Sequence, residues 1–233
     1  MAKRASPRLH RVIGRLLEQH GRQAPPPADT AFALVLWEKV AYLAPDERRA
    51  QAFEMLRTRV GLTPQAILAA KPSVLREIAA VGGKVEIAKR AENMQVAAAV
   101  VMEEFGGSLD NALRFPHRDA MRALQRIYGI GEPGAERILL LMRAQRVLAL
   151  DSNGARTMVR LGYGADHKNY STMYRSVRDA AAKELRDDFD WLIDAHLVLR
   201  RHGQEVCKTS APRCEMCGVR AECAYAAARV ASS

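Results

Sequence analysis

The chain has 233 residues, 36 of them Lys or Arg against 26 Asp or Glu, for a formal charge of +10 at neutral pH. That length supports one large domain or two small ones with a proper apolar core, so disulfide staples are not needed to hold it together. No apolar run is long enough to span a bilayer, and the basic start Met1-Ala-Lys-Arg-Ala-Ser-Pro-Arg8 has no apolar segment behind it; a membrane or exported protein is therefore not expected, and a cytoplasmic one with a polyanionic partner is.

Leu9, Val12, Ile13, Leu16 and Leu17 recur at helical spacing, and Gly21 stops that helix. Ala24-Pro-Pro-Pro-Ala28 is a stiff connector too short to link domains. Asp29 or Thr30 is placed to cap a strongly apolar helix from Phe32 to Leu43, which Pro45 ends. Asp46-Glu-Arg-Arg49 opens the next helix, and Thr63-Pro64 and Lys71-Pro72-Ser73 begin two more. A turn at Val81-Gly-Gly-Lys84 leads into a long helix from about Ile87 to Phe105, and Pro116 starts another that runs to Tyr128. After a glycine-rich turn at 129–134 come helices at about 135–145, 152–162, 170–186 and 188–201. Nothing alternates with period two over a useful length, so the expected fold class is all-α, with no internal repeat. The small-residue tail Ala226–Ser233 is expected to fray.

All four cysteines fall in one stretch, Cys207, Cys214, Cys217 and Cys223, spaced C-x6-C-x2-C-x5-C. Thiolates this close can converge on a tetrahedral zinc or on an iron–sulfur cluster, while an even count also permits disulfides. Zinc sites usually pair their cysteines in two short knuckles. Only Cys214 and Cys217 make one here, so the spacing favours a [4Fe–4S] cluster.

Three further features carry chemistry. In Ile127-Tyr-Gly129-Ile-Gly131-Glu-Pro-Gly134 the glycines remove side chains and admit positive φ, so backbone N–H groups at the next helix start can meet a phosphate. An ordinary helix–turn–helix would read the same way. An apolar run, Val147 to Leu150, delivers Asp151 to the mouth of a helix, where it is an N-cap, a reactive carboxylate, or both. Glu38 stands beside Lys39 in the apolar helix after Thr30, either as a surface charge or as a second working carboxylate.

The cysteine loop, the glycine hairpin and the aspartate, in this order and spacing, resemble endonuclease III and its adenine-excising relative MutY, both helix-hairpin-helix DNA glycosylases. His196-Leu-Val-Leu199 and Ala211-Pro-Arg-Cys214 match the same family's cluster domain, and the resemblance covers essentially the whole chain. It implies a two-lobed fold: a six-helix barrel over 28–138, and a cluster domain built from 1–27 and 139–233. Double-stranded DNA with a damaged or mispaired base would lie across the cleft between them, bound by a monomer. Asp151 would stabilise the sugar cation as the base leaves. Aligned without gaps from Thr30, Glu38 falls where MutY has the glutamate that protonates adenine, and Asp151-Ser-Asn153 resembles MutY's Asp-x-Asn.

The bifunctional members use a hairpin lysine as nucleophile on the sugar, and counting back from Asp151 that position is Pro133. Proline has no amine to offer, so a monofunctional glycosylase with absent or weak lyase activity is expected. A lyase step through another amine, Lys39 or Lys84, and a non-catalytic DNA-binding protein are the alternatives. Little sequence follows Cys223, so MutY's reader of 8-oxoguanine is not expected. The resemblance also implies a monovalent cation on the carbonyls of 127–131. Gly129, Gly131, Gly134, Asn153, Arg156, Arg160, Lys208 and Arg213 are the DNA-contact candidates. Val85, Ile87 and Leu43 are candidates for the wedge that fills the hole left by a flipped base.

Overall fold

The computed structural model describes residues 7–42 and 44–230, so Leu43 lies outside the described residues. Every regular element among them is helical. The chain divides into two compact units, Pro26–Ile138 and the segments before and after it.

The inner unit is built on α2 (Ala31–Val40), whose N-terminus is closed by Thr30: its hydroxyl oxygen accepts the Ala33 N–H at 3.1 Å. Phe32, Leu34, Val35, Leu36 and Val40 are all buried, so α2 is apolar on every side and sits inside its unit. Packed against it are α3 (Asp46–Arg59) and the long α6 (Ile87–Phe105), while α4 (Pro64–Ala69) packs on α6 and α5 (Pro72–Val81) on α6 and α3. They contribute Phe53, Leu56, Ile67, Leu75, Ile78 and Met94 to the core. Proline opens both α4 and α5, where its missing N–H costs no helical bond. A 3-10 turn at Leu109–Arg114, which no sequence signal announced, precedes α7 (His117–Gln125). That helix ends before Tyr128 because the chain tightens: Arg126 and Ile127 donate to Ala123 and Leu124 in three-residue steps, both at 3.2 Å.

The second unit holds α1 (Arg8–His20), α9 (Ser152–Leu161), α10 (Tyr170–Ala181), α11 (Phe189–Glu205) and α12 (Ala224–Val230). The boundary between the units falls inside α8 (Glu132–Leu141), in which Pro133 is the second residue. Leu9, Val12, Ile13 and Leu16 of α1 pack with Leu150, Met158, Tyr174, Trp191 and Val198 into one core. Helix α12 replaces much of the tail that was expected to fray, its first turn closed by the Ala227 N–H on the Cys223 carbonyl at 3.1 Å.

Helices α9 and α11 approach so closely that a Cβ on Gly203 would stand 2.6 Å from the Asn153 carbonyl oxygen. Gly203→Ala must therefore push the start of α9 away. We expect a loss of roughly 1–3 kcal/mol, or about 3–10 °C in Tm, measurable by thermal denaturation.

Candidate functional site

Asp151 is the N-cap of α9: its Oδ1 accepts the Gly154 N–H at 2.8 Å. Its Oδ2 accepts the Asn153 side-chain N–H at 3.1 Å and lies 3.3 Å from Nε of Arg200 on α11. The carboxylate is thus fixed by a helix N-terminus, an amide and a guanidinium, with 15% of the side chain exposed. The Gly154 and Asn153 contacts are local, because Asp151-Ser-Asn-Gly is a capping sequence; the Arg200 contact is set by the packing of α11. Arg200 was not anticipated, and nothing in its local sequence separates it from Arg201.

Asn153 passes the arrangement on. Its Oδ1 accepts from Arg156 at 2.9 Å, and the same guanidinium donates to the Gly203 carbonyl at 2.8 Å and to the Cys207 carbonyl at 3.1 Å. Burial pushes the Arg156 pKa down. Arg160 is also turned into its unit: it donates to the Lys208 carbonyl at 2.6 Å, the Thr209 carbonyl at 3.0 Å and the Cys207 sulfur at 3.4 Å. These two arginines, assigned to phosphates from sequence, brace the cysteine loop. Arg213 is exposed and Lys208 half-buried.

The four cysteines line one cavity, together with Arg160, His202 and Tyr225, that encloses about 300 Å³ of space between atoms and open solvent. Among the described residues, no three His, Cys, Asp or Glu side chains form a group that could hold one metal ion. The four thiols are free of disulfides. The Cys217 thiol is raised to about 11, chiefly by burial, with the Val219 N–H opposing the shift and the neighbouring cysteines adding to it. The loop is pinned to α1 by Gln19, which donates to the Met216 carbonyl at 2.8 Å and accepts the Gly218 N–H at 3.0 Å. Behind Cys217, His202 Nε2 lies 3.6 Å from its sulfur. His202 Nδ1 pairs with His20 at 3.0 Å, and His20 with Glu205 at 3.3 Å. Burial, then the neighbouring His20, lowers the His202 pKa to about 4, so its ring is neutral.

In the inner unit, the hairpin joins α7 to α8. Gly129 has φ +80°, the left-handed region that favours glycine, and the Ile130 N–H closes the turn on the Ile127 carbonyl at 3.0 Å. The Gly131 carbonyl caps α8 by accepting from Ala135 at 2.9 Å. Pro133 brings no amine and no N–H to this turn. Glu38 is bound to Arg137 of α8 at 2.7 Å and lies 3.9 Å from Arg49 of α3. Lys39 is buried, and its Nζ donates to the Tyr128 carbonyl. Of the wedge candidates, Val85 is 43% exposed and Ile87 is half-buried at the start of α6. Tyr42 and Tyr128, 51% and 58% exposed, are aromatic surface residues that the sequence reading passed over.

No family model matches the chain. Its sequence is similar to endonuclease III of Thermotoga maritima, 27% identical over 173 residues that cover 74% of this chain and 71% of that one. It is also similar to endonuclease III of Sulfolobus acidocaldarius, 25% identical over 195 residues, 83% and 82% of the two chains. The fold is similar to endonuclease III in a trapped covalent intermediate with DNA, with a TM-score of 0.75 at 18% identity over 98% of this chain and 100% of that one. A thermostable thymine-DNA glycosylase gives a TM-score of 0.74 at 16% identity over 94% and 95%. The chain is thus similar in sequence and in fold to endonuclease III, and in fold to a second DNA glycosylase.

Within this endonuclease III-like glycosylase fold, each unit carries its own carboxylate: Asp151 with the cysteine loop, and Glu38 with the hairpin. No described helix is long and apolar enough to cross a membrane. Burial lowers the Lys39 pKa from 10.5 to about 8, with the adjacent Glu38 partly opposing the shift. The unfolded chain therefore binds a proton between pH 10.5 and 8 that the folded chain does not, so this group adds stability as pH rises through that window. Wild-type protein should gain up to about 3 kcal/mol relative to Lys39→Met between pH 8 and pH 10.5, measured by urea denaturation. An equal slope in the two proteins would show that the amine is not buried.

Proposed function

We propose that the protein is a monofunctional DNA glycosylase that hydrolyses the N-glycosidic bond of a damaged or mispaired base in double-stranded DNA. The observation that carries this reading is Asp151, an oriented carboxylate at a helix N-terminus, in a chain whose hairpin offers proline where an amine nucleophile would stand. The base must leave the duplex stack before its bond is reached. As it departs, the sugar gains oxocarbenium character, and a carboxylate already fixed by Gly154, Asn153 and Arg200 stabilises that charge without reorganising. Water then takes the place of the base, leaving an abasic site. The endonuclease III neighbour was trapped as a covalent intermediate with DNA; here Pro133 supplies no such bond. Lys39 is committed to the Tyr128 carbonyl, and Lys84 is exposed at the turn after α5.

Glu38 is read differently from the acid that the MutY resemblance implied. Its carboxylate is bound to Arg137, so we assign it to joining α2 and α8. Gly129, Gly131 and Gly134 present the hairpin to phosphate, and Lys208 and Arg213 are the surface cations left for the same purpose. Val85, exposed in the turn before α6, is the side chain we assign to enter the duplex. A monomer in the cytoplasm fits these roles.

Cys207, Cys214, Cys217 and Cys223 would hold a [4Fe–4S] cluster. Four thiols around one cavity, in the uneven C-x6-C-x2-C-x5-C spacing, support a polynuclear centre rather than one zinc. When bound, the cluster supplies a cross-link between the ends of the loop and balances the charge of four thiolates. His202 and Arg160 then stand behind the Cys217 and Cys207 sulfurs as donors.

The test is single-turnover incubation with duplexes carrying oxidised, deaminated, alkylated or mispaired bases, split for hot alkali. Breaks should appear only after alkali. Asp151→Asn keeps an N-cap oxygen but turns an NH2 towards Asn153 and Arg200 and loses the charge; it should slow excision by about a hundredfold or more, while the protein stays folded with a Tm lowered by only a few degrees. Glu38→Gln should lower Tm and leave the single-turnover rate within a few-fold of wild type. Breaks without alkali on modified bases would overturn the monofunctional reading, and tight binding with no excision would make the protein a damage sensor. Protein purified without oxygen should be brown and contain about four irons per chain, with zinc only at trace level.

A further inference from the structure

The buried amine of Lys39 has no part in the chemistry above, yet it occupies the interior of an otherwise apolar helix. Taking a charge out of water is expensive, and a hydrophobic residue of the same volume is usually the more stable choice. Its neighbour Glu38 does not explain it, because that carboxylate is bound to Arg137. What the ammonium touches is the hairpin: Nζ donates to the Tyr128 carbonyl at 2.5 Å, and a Cβ on Gly129 would lie 3.6 Å from it. The amine therefore sits beneath the one residue of the turn held at positive φ.

The same unit repeats the device at a second turn. Arg90, also buried, donates Nε to the Val85 carbonyl at 2.8 Å, Nη1 to the Val40 carbonyl at 2.7 Å, and Nη2 to the Gly83 carbonyl. One side-chain cation thereby gathers three carbonyls from the end of α2 and the loop before α6, as a bound ion would.

We propose that Lys39 is a built-in cation that pins the 127–131 turn from beneath, so that the hairpin needs no bound monovalent ion to hold its phosphate-binding shape. Tyr128 offers its carbonyl to the chain's own ammonium, and the cation expected on this turn from the family resemblance is replaced by a residue of α2. Lys39 is thus a positioning residue for DNA binding, and in this the inference rests on the glycosylase reading. The Lys39 amine, at a pKa of about 8, is mostly charged at neutral pH.

Two measurements on Lys39→Met test it. The first needs no DNA: hydrogen exchange at the Gly129, Ile130 and Gly131 amides should quicken tenfold or more, while the core amides of α6 stay protected and Tm holds or rises. A purely structural role would instead lower Tm and loosen both sets together. The second is affinity for a duplex with an uncleavable abasic analogue, at one ionic strength, with potassium or choline as the only cation. Wild type should bind equally in both, and Lys39→Met should bind about tenfold more weakly in choline and recover in potassium. Wild-type affinity that depends on potassium, or unchanged exchange in the variant, would overturn the proposal. If neither protein binds DNA, the glycosylase reading fails and the exchange result alone decides whether Lys39 pins the turn.

Discussion

The guanidinium of Arg156 is the point on which the Asp151 side of the molecule hangs. It reaches Asn153 on its own helix, Gly203 on α11 and Cys207 at the entrance to the cysteine loop. Asn153 in turn holds Asp151. Two stretches remote in sequence, 153–156 and 203–207, therefore share one planar group, whose fixed fork makes their spacing mutually dependent. A glycine at 203 is the steric condition for this, since only a residue without Cβ lets α11 come so near the Asn153 backbone. The cysteine loop and the carboxylate are in this sense one structure, and disorder in the loop would be felt at Asp151 through a single side chain.

A formal charge of +10 overstates what the surface offers to a polyanion. Arg156, Arg160, Arg90 and Lys39 spend their donors on backbone carbonyls, and Arg137 on Glu38. Hydrogen bonds to a charged donor are stronger than neutral ones, and the carbonyls they satisfy belong to turns and helix ends that lack partners of their own. A basic composition can thus serve two ends, long-range attraction of a polyanion and internal bracing of irregular backbone. Only the first could be inferred from counting.

What was legible in the sequence was local. Thr30 and Asp151 cap the helices that follow them, the face Leu9, Val12, Ile13 and Leu16 is buried, and the four cysteines surround one cavity. Each follows from spacing within a dozen or so residues. What was not legible was set by partners far along the chain. For Arg156, a phosphate candidate, two of the three acceptors lie beyond residue 200, and for Glu38, an acid candidate, the partner Arg137 is on another helix. The 3-10 turn at Leu109–Arg114 and helix α12 follow no apolar period long enough to announce them. Lys39 did leave a signal, a charge inside an apolar helix, but the sequence could not say what it would face.

The surroundings of Asp151 bear on which of its two possible tasks it performs. An ionised carboxylate has about four acceptor positions on its two oxygens. Here the Gly154 amide takes one, and the Asn153 amide and the Arg200 guanidinium face the other oxygen. A general base must swing towards its water and accept a proton through a free lone pair. A carboxylate held by three donors from two helices has little room for either motion. A fixed anion beside a developing cation needs neither, and its worth lies in having been oriented before the reaction begins. The N-cap geometry is therefore not a competing explanation of Asp151 but the means by which it is made rigid. In the glycosylase reading, a carboxylate so held serves as a fixed anion beside the sugar, and positioning of the water falls to other groups.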